Sequence, residues 1–391
     1  MTRSPADAET APADRATADQ LAPAVLAARV AALAENGQAA GAGALPVWDR
    51  VAEPRRRVWL TRCTHFAAWC VSLGLLALAA LRITYHDAAV LLIWLNAYTL
   101  YVYLPAYLIL LFAVWRRRWL LTATSVAVVA FHLAWVAPDF RPAVTYHPPI
   151  VASEPSQPIR IFYANVRARN RNLDGIINEI GDAEPDVVVL VEINRPWFDA
   201  LQRAEAMKPY VYGTRLAEPY MGEVMVFSKL PVELPQRIWA VGRVCNLLDI
   251  PLAGQSLRLF CLHSPRPHVT FPDGYEVYWE QVAQRLAEEP RPLVVIGDFN
   301  ATQHSLVLER LTAAGLRSAH EDRGRGYATT WPNGHHWVPP IRIDQVLVSP
   351  DVECLDIAEG VGAGSDHKPL ILDVRLHAGG GTAPTVAARR P

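Results

Sequence analysis

Three apolar runs in the first third of this 391-residue chain constrain its fold more than any other feature. They cover 63–81, 88–115 and 119–136. Each reaches the roughly 18–20 residues an α-helix needs to cross a hydrocarbon layer. Three such runs in succession leave too little polar surface for a buried hairpin of a soluble domain. Trp59, Trp94, Tyr98, Trp115, Trp119 and Trp135 cluster near the ends of the runs, where amphipathic rings favour the membrane–water interface. Pro105 falls inside the second run, which reads as a kink in a long, tilted span. Asn96 and His132 also lie within runs and are expected to hydrogen-bond between helices.

Positive charge is distributed unevenly around these runs. Arg55, Arg56, Arg57 and Arg62 precede the first, and Arg116, Arg117 and Arg118 fill the turn between the second and third. The other turn has only Arg82, and only Arg141 follows the third run. Cytoplasmic loops are enriched in Lys and Arg. The N-terminus and the triple-Arg turn are therefore expected in the cytoplasm and everything after Val136 outside, in a multi-pass protein of the cell membrane.

The chain then divides as follows. Residues 1–55 are rich in Ala, Pro and Gly, with a weak helical stretch over 21–35, and read as a disordered cytoplasmic segment. No apolar core follows a short basic start, so this is not a secretory signal. Residues 56–137 form the three-helix anchor. Residues 138–158 hold six prolines and read as a linker spanning at most about 60 Å at ~3.1 Å per residue. Residues 159–377 carry the mixed patterning of a globular domain, and 378–391 read as a disordered tail.

Within 159–377 strand-like and helix-like patterns alternate. Strands are expected over 159–165, 187–192, 223–228, 244–250, 257–263, 293–298, 343–348 and 370–376. Helices are expected over 173–181, 196–205, 274–288 and 305–314. The pattern implies an α/β domain of mixed sheets covered by helices. Cys63, Cys70, Cys245, Cys261 and Cys354 include no CxxC pair, which argues against structural zinc. Buried free thiols are the main reading, and a Cys245–Cys261 cross-strand disulfide the alternative.

Chemistry-bearing residues gather where the strands end. Apolar runs close on Asn165, Glu192, His263 and the group Gly297-Asp298-Phe299-Asn300. Ligands of α/β folds collect beyond strand carboxyl ends. Hard oxygen donors plus imidazole, with few thiols, suit Mg²⁺ or Mn²⁺ better than zinc. Each residue alone is weak evidence, since a terminal Glu is commonly just solvated and Asp and Asn favour turns. Ser365-Asp366-His367-Lys368-Pro369 is sharper, because it sets a carboxylate and an imidazole side by side before a strand. Asp344, inside Ile341–Val348, is the candidate that orients His367, as an Asp on Nδ1 fixes a tautomer.

In this order the motifs resemble those of the endonuclease/exonuclease/phosphatase superfamily over about 159–376. The resemblance implies a four-layer α/β/β/α sandwich and metal-assisted hydrolysis of phosphate mono- or diesters. It implies that Glu192 is the main metal ligand, with Asn165, Asp298 and Asp366 contributing. It implies catalytic roles for His263, Asp298, Asn300, Asp344 and His367, and substrate contacts from Asn165, Asn300 and His263. The three-helix anchor with an outward domain further resembles the VanJ-type branch of actinomycetes, linked with lipid-carrier phosphate chemistry. The loop after His263 departs from anything the resemblance explains. Its Arg266 and His268 are either substrate contacts or the solvated ends of a rigid Pro-rich loop.

Substrate class is not written in the motifs. Residues 156–377 carry 22 Lys and Arg against 28 Asp and Glu, a net of −6. A duplex-binding domain draws most of its affinity from basic groups on phosphates. A lipid-linked phosphate at the bilayer is thus the favoured substrate, nucleic acid the alternative, and a binding or sensor protein with a weak site the third class.

Overall fold

The computed structural model describes residues 47–146, 156–214, 224–252, 255–268, 272–289, 292–334 and 337–377. The stretches read as helical over 21–35 and as a tail over 378–391 lie outside these residues. The chain divides after Ala68, and the unit from Trp69 onward carries the features below.

Helix α1 (Val47–Tyr85) contains the first apolar run and begins within the segment read as 1–55. The second run is broken into α2 (Val90–Ala97), α3 (Thr99–Val102) and α4 (Pro105–Trp115), and the third is α5 (Trp119–Val136). Two helices are long and apolar enough to cross a membrane, Val58–Tyr85 and Trp119–Phe140, with mean hydropathy 2.0 and 1.9. The pair Val90–Ala97 and Thr99–Trp115 is bent by 75°. This corrects the expectation of one gently kinked span. The bend falls at Tyr98, not at Pro105, which merely starts α4, where its missing N–H costs nothing. Polar groups hold the bend. Thr99 Oγ1 donates to the Asn96 carbonyl at 2.6 Å. Asn96 Nδ2 reaches the turn after α1, donating to the His86 carbonyl at 3.1 Å and to Asp87 Oδ1 at 2.8 Å. His132 does bond between helices, to Tyr107 of α4 at 3.0 Å.

The remainder is two six-stranded sheets. The elements are β1 (Ile159–Asn165), α6 (Leu173–Ala183), β2 (Val187–Val191), α7 (Arg195–Arg203), β3 (Tyr212–Gly213), β4 (Val224–Ser228), β5 (Glu233–Ala240), β6 (Arg243–Leu252) and β7 (Gln255–His263). They continue with α8 (Pro272–Glu288), β8 (Leu293–Asp298), α9 (Leu306–Ala313), β9 (Arg317–Ser318), α10 (Ala319–Asp322), β10 (Asp344–Val348), β11 (Val352–Glu359) and β12 (Leu370–Leu376). One sheet runs β11-β12-β1-β2-β4-β3, the other β5-β6-β7-β8-β10-β9. Each is antiparallel except for one central parallel pair, β1–β2 and β7–β8.

Side-chain alternation builds the layers. In β1 and β2, Ile161, Tyr163, Val187 and Val189 face the opposite sheet, while Phe162, Val188 and Leu190 pack under Ile176, Ile180 and Trp197 of α6 and α7. In β7 and β8, Leu259 and Ile296 face between the sheets, while Phe260 and Val295 meet Tyr278, Val282 and Leu308 of α8 and α9. Strands buried on both faces read as continuous apolar runs, which is why the sequence exposes them. Helix starts are capped locally. Asn172, Asn194 and Ser305 accept N–H bonds from Gly175, Trp197 and Leu308, satisfying otherwise orphaned donors.

Cys245 and Cys261 form no disulfide, because they lie on opposite faces of their sheet. The reason is register. Cys261 lies opposite Asn246, so Cys245, one residue away, projects to the other side.

The described start of the Pro-rich linker packs on the domain: Pro138 to Phe140 belong to a 3₁₀ turn, Ala137–Phe140, and the residues up to Tyr146 bond to the domain. Val144 N–H donates to the Asp322 carbonyl at 2.9 Å, and Tyr146 donates to the Pro350 carbonyl at 3.0 Å. The helix ends dock directly as well. Arg82, expected in a turn, is a buried residue of α1 that donates to Thr99 and to the His304 carbonyl and stacks over Trp135. Asp87 Oδ2 accepts the Leu306 N–H at the start of α9 at 2.7 Å. Tyr101 donates to the Pro340 carbonyl at 2.7 Å.

Candidate active site

The two parallel pairs deliver the site. β1 and β2 run side by side, with Asn165 opposite Val191, so Asn165 and Glu192 emerge together from one sheet. β7 and β8 place His263 opposite Asp298 on the other. Antiparallel β10 begins with Asp344 opposite Asp298. The loop before β12 brings His367 to the same rim. Six of the sequence candidates thus come from strand ends of both sheets, and the packing of the sheets brings them together.

Asn165 links the two halves. Its Nδ2 donates to Glu192 Oε1 at 3.2 Å and to Asp298 Oδ2 at 3.1 Å. Both amide hydrogens are used, and Oδ1 already accepts the Arg167 N–H at 3.0 Å. What Asn165 can offer a cation or substrate is the remaining lone pair of Oδ1. The Ala168 N–H donates to Glu192 Oε2 at 3.1 Å. Burial opposes the Glu192 charge, yet these two donors and the nearby imidazoles hold its carboxyl below the usual value. Its side chain keeps 22% of its surface exposed, so it is ionised and accessible.

Asp298 differs. It is fully buried, and burial pushes its carboxyl up against the opposing pull of His367. Its Oδ1 accepts the Asn300 N–H at 2.9 Å. Its Oδ2 lies 3.7 Å from His263 Nε2 and 3.9 Å from His367 Nε2. Asn300 also donates from Nδ2 to the Ser264 carbonyl at 3.1 Å, which leaves one amide hydrogen. His263 is buried, and its Nδ1 has no hydrogen-bond partner among the described residues.

Asp344 is fully satisfied. Oδ2 lies 2.8 Å from His367 Nδ1, and Oδ1 accepts the Tyr163 hydroxyl at 2.8 Å. Burial disfavours the charged imidazole of His367, but Asp344 and Asp298 outweigh it and raise its pKa to about 9. Ser365 clamps this loop to β1, donating to the Asn165 carbonyl at 2.7 Å and accepting the His367 N–H at 3.1 Å. Asp366 stands further out, with Oδ1 3.6 Å from Arg167 Nε. Arg167, Glu192 and Asn300 all adopt φ between 46° and 62°. Left-handed backbone at non-glycine residues costs about 1–3 kcal/mol each and collects at functional sites.

Donor atoms of Asp298, Asp344 and His367 lie within 4.8 Å of one another, close enough to share a cation. Both oxygens of Asp344 are engaged, one by His367 and one by Tyr163, and the group is sealed from solvent. Glu192 also accepts two hydrogen bonds, but it is the carboxylate of the rim that stays partly open to an incoming hard cation.

Sequence reasoning missed Tyr163, Arg167 and the Ala168 N–H. Tyr163 reads as an ordinary inward residue of a strand, and only pairing across the sheets brings its hydroxyl to Asp344. Arg266, expected as a substrate contact or a solvated loop end, sits at the rim and stays largely exposed. Its Nη2 lies 3.9 Å from Glu192 Oε1.

A rim of carboxylate, amide and imidazole groups, built on two packed mixed sheets, is suited to hydrolysing phosphate esters. The chain belongs to the endonuclease/exonuclease/phosphatase family, whose pattern matches residues 162–367. Members of that family are metal-dependent phosphoesterases and nucleases. Several solved structures are similar. A humanized D. rerio TDP2 is 18% identical with a TM-score of 0.47, covering 56% of this chain and 98% of that one. A family protein from Bacteroides thetaiotaomicron is 14% identical with a TM-score of 0.45, covering 58% and 100%. One from Beutenbergia cavernae is 17% identical with a TM-score of 0.44, covering 57% and 72%. No curated protein sequence matches.

Proposed function

We propose that this chain is a membrane-embedded, divalent-metal-dependent phosphoesterase that hydrolyses a lipid-linked phosphate at the extracytoplasmic surface, like the VanJ-type proteins its architecture resembles. One observation carries the reading. The ends of the apolar helices dock on the catalytic domain, through Arg82, Asp87 and Tyr101, beside the rim of candidate residues. An enzyme fixed to the surface that presents its substrate gains in effective concentration.

In this reading Glu192, Asn165 and Asp298, with Asp366 behind Arg167, hold Mg²⁺ or Mn²⁺. The cation supplies charge neutralisation on the phosphoryl oxygens. Asp298 orients the attacking water and accepts its proton. The free amide hydrogen of Asn300 binds a phosphoryl oxygen. His367, with Nδ1 committed to Asp344, presents Nε2 to the developing charge. His263 donates a ring proton to the departing ester oxygen as the P–O bond breaks, and the proton that Asp298 takes from the water replaces it across the 3.7 Å between them. Little covalent help is needed, because phosphoryl transfer depends chiefly on positioning and electrostatics.

The test is release of phosphate or head group by full-length protein in vesicles. Lipid-linked phosphates and a short oligonucleotide are compared, with EDTA and with Mg²⁺ or Mn²⁺ restored. Metal-dependent turnover of a lipid-linked phosphate is expected. Cleavage of the oligonucleotide with no release from any lipid would replace this reading with a nuclease.

A further inference from the structure

A narrow groove opens beside the rim. One wall is α2, with Ile93, Trp94 and Ala97; the other is Trp331, Ile341 and Ile343. The second wall is rigid, because Trp331 and Ile341 are joined by backbone hydrogen bonds in both directions. Its remaining lining residues are Arg266, Pro267 and Asn300. The polar ones among them belong to the catalytic end. Asn300 is bonded to Asp298, and Arg266 faces Glu192. The groove therefore has a cationic, hydrogen-bonding end at the reacting centre and apolar walls running to a helix of the membrane-type bundle. The 75° bend at Tyr98 puts α2 there.

We propose that this groove binds the hydrocarbon chain that adjoins the phosphate of the substrate. The proposal rests on the lipid-linked reading above and deepens it. Charge complementarity sets the direction, with an anionic phosphate at Arg266 and Asn300 and an apolar chain against α2. Among the described lining residues the side chains other than Arg266 and Asn300 are apolar apart from two indole N–H groups, so the walls suit a hydrocarbon chain beside the phosphate. Arg266 and the bent helix thus acquire a purpose that the catalytic residues do not require.

The experiment measures binding, so it does not depend on turnover. Inorganic phosphate and butyl, hexyl and octyl phosphate are titrated onto full-length protein in nanodiscs, against empty discs, following Trp fluorescence. Affinity should rise roughly fourfold per methylene until the groove is filled. Ile93→Asp makes one wall polar and Ala97→Phe fills the groove; both should flatten that dependence, with folding checked by thermal melting. A diazirine-bearing alkyl phosphate on the wild-type chain should label α2 and the 331–343 wall. Affinity independent of chain length, a slope kept in both folded variants, or labelling elsewhere would each overturn the proposal. A steep slope with no hydrolysis of any lipid-linked phosphate would instead leave the groove standing and remove the catalytic reading.

Discussion

Glu192 and Asp298 are both carboxylates at strand ends, yet one is partly open and the other sealed. Partial exposure leaves Glu192 free to take a cation, and Glu192→Gln keeps its shape while removing the charge. Metal affinity or metal-stimulated turnover should fall by at least roughly 10–100-fold, measured as the metal concentration restoring half-maximal activity after EDTA; unchanged metal dependence would move the ligand elsewhere. His367 and Asp344 act as one unit in this geometry, joined at 2.8 Å. His367→Ala and Asp344→Asn should each lower kcat by about 10²–10⁴-fold. The double variant should be little worse than either, as for other residues that work together. Additive losses would show that Asp344 does not serve His367. Tyr163→Phe strands Asp344 Oδ1 in the core. It should cost about 1–3 kcal/mol of stability, seen as a lowered unfolding midpoint.

At the level of elements, the turn between α1 and α2 joins the helices to the catalytic domain. Asp87 accepts the first free N–H of α9, and His86 lies between Asp87 and Glu309 at 3.1 and 3.2 Å. The adjacent carboxylates of Asp87 and Glu309 raise the His86 pKa from 6.5 to about 9. A group raised on folding stabilises most when it is charged in both states. The contribution is therefore full below about pH 6.5 and is lost as pH rises through about 9. Melting midpoints of the detergent-solubilised protein should decline over that window, and His86→Gln should remove that part of the decline. An identical pH profile in the variant would rule out this joint as its source. Asp87→Ala should speed amide exchange at Leu306 by freeing its N–H, without comparable change in β1 or β2.

Across the whole molecule, the docking contacts include Arg82, Asp87, Tyr101 and Asp139. His304 Nε2 lies 3.1 Å from Asp139 Oδ2, and Gln303 Nε2 donates to the same oxygen at 3.2 Å. The α1–α2 turn and the end of α5 thus meet the catalytic domain together. Arg116, Arg117 and Arg118 lie in the turn between α4 and α5. From the enrichment of Lys and Arg in cytoplasmic loops we propose that this turn is cytoplasmic. An alkaline-phosphatase reporter fused after His377 should be active, and a reporter that works only in the cytoplasm should be silent there. The reverse result would invert the topology and place the groove and the rim on the inner face.

Much of this protein follows from sequence alone, for a physical reason. Central strands β1, β2, β7 and β8 are buried on both faces, so they are unbroken apolar runs, and a polar residue at their ends stands out. That is how Asn165, Glu192, His263 and Asp298 become visible. Edge strands escape. β5 contains Pro235, which only an edge tolerates, and β11 alternates polar and apolar residues around a bulge. Long apolar helices are equally plain in the sequence, because the hydrocarbon they require admits few alternatives. Three things were decided only by tertiary structure: the pairing of Tyr163 with Asp344, the burial of Arg82, and the bend that lays α2 against Arg266 and Asn300. Each joins residues far apart in the chain, and periodicity reports only the face a residue occupies, never what packs against it.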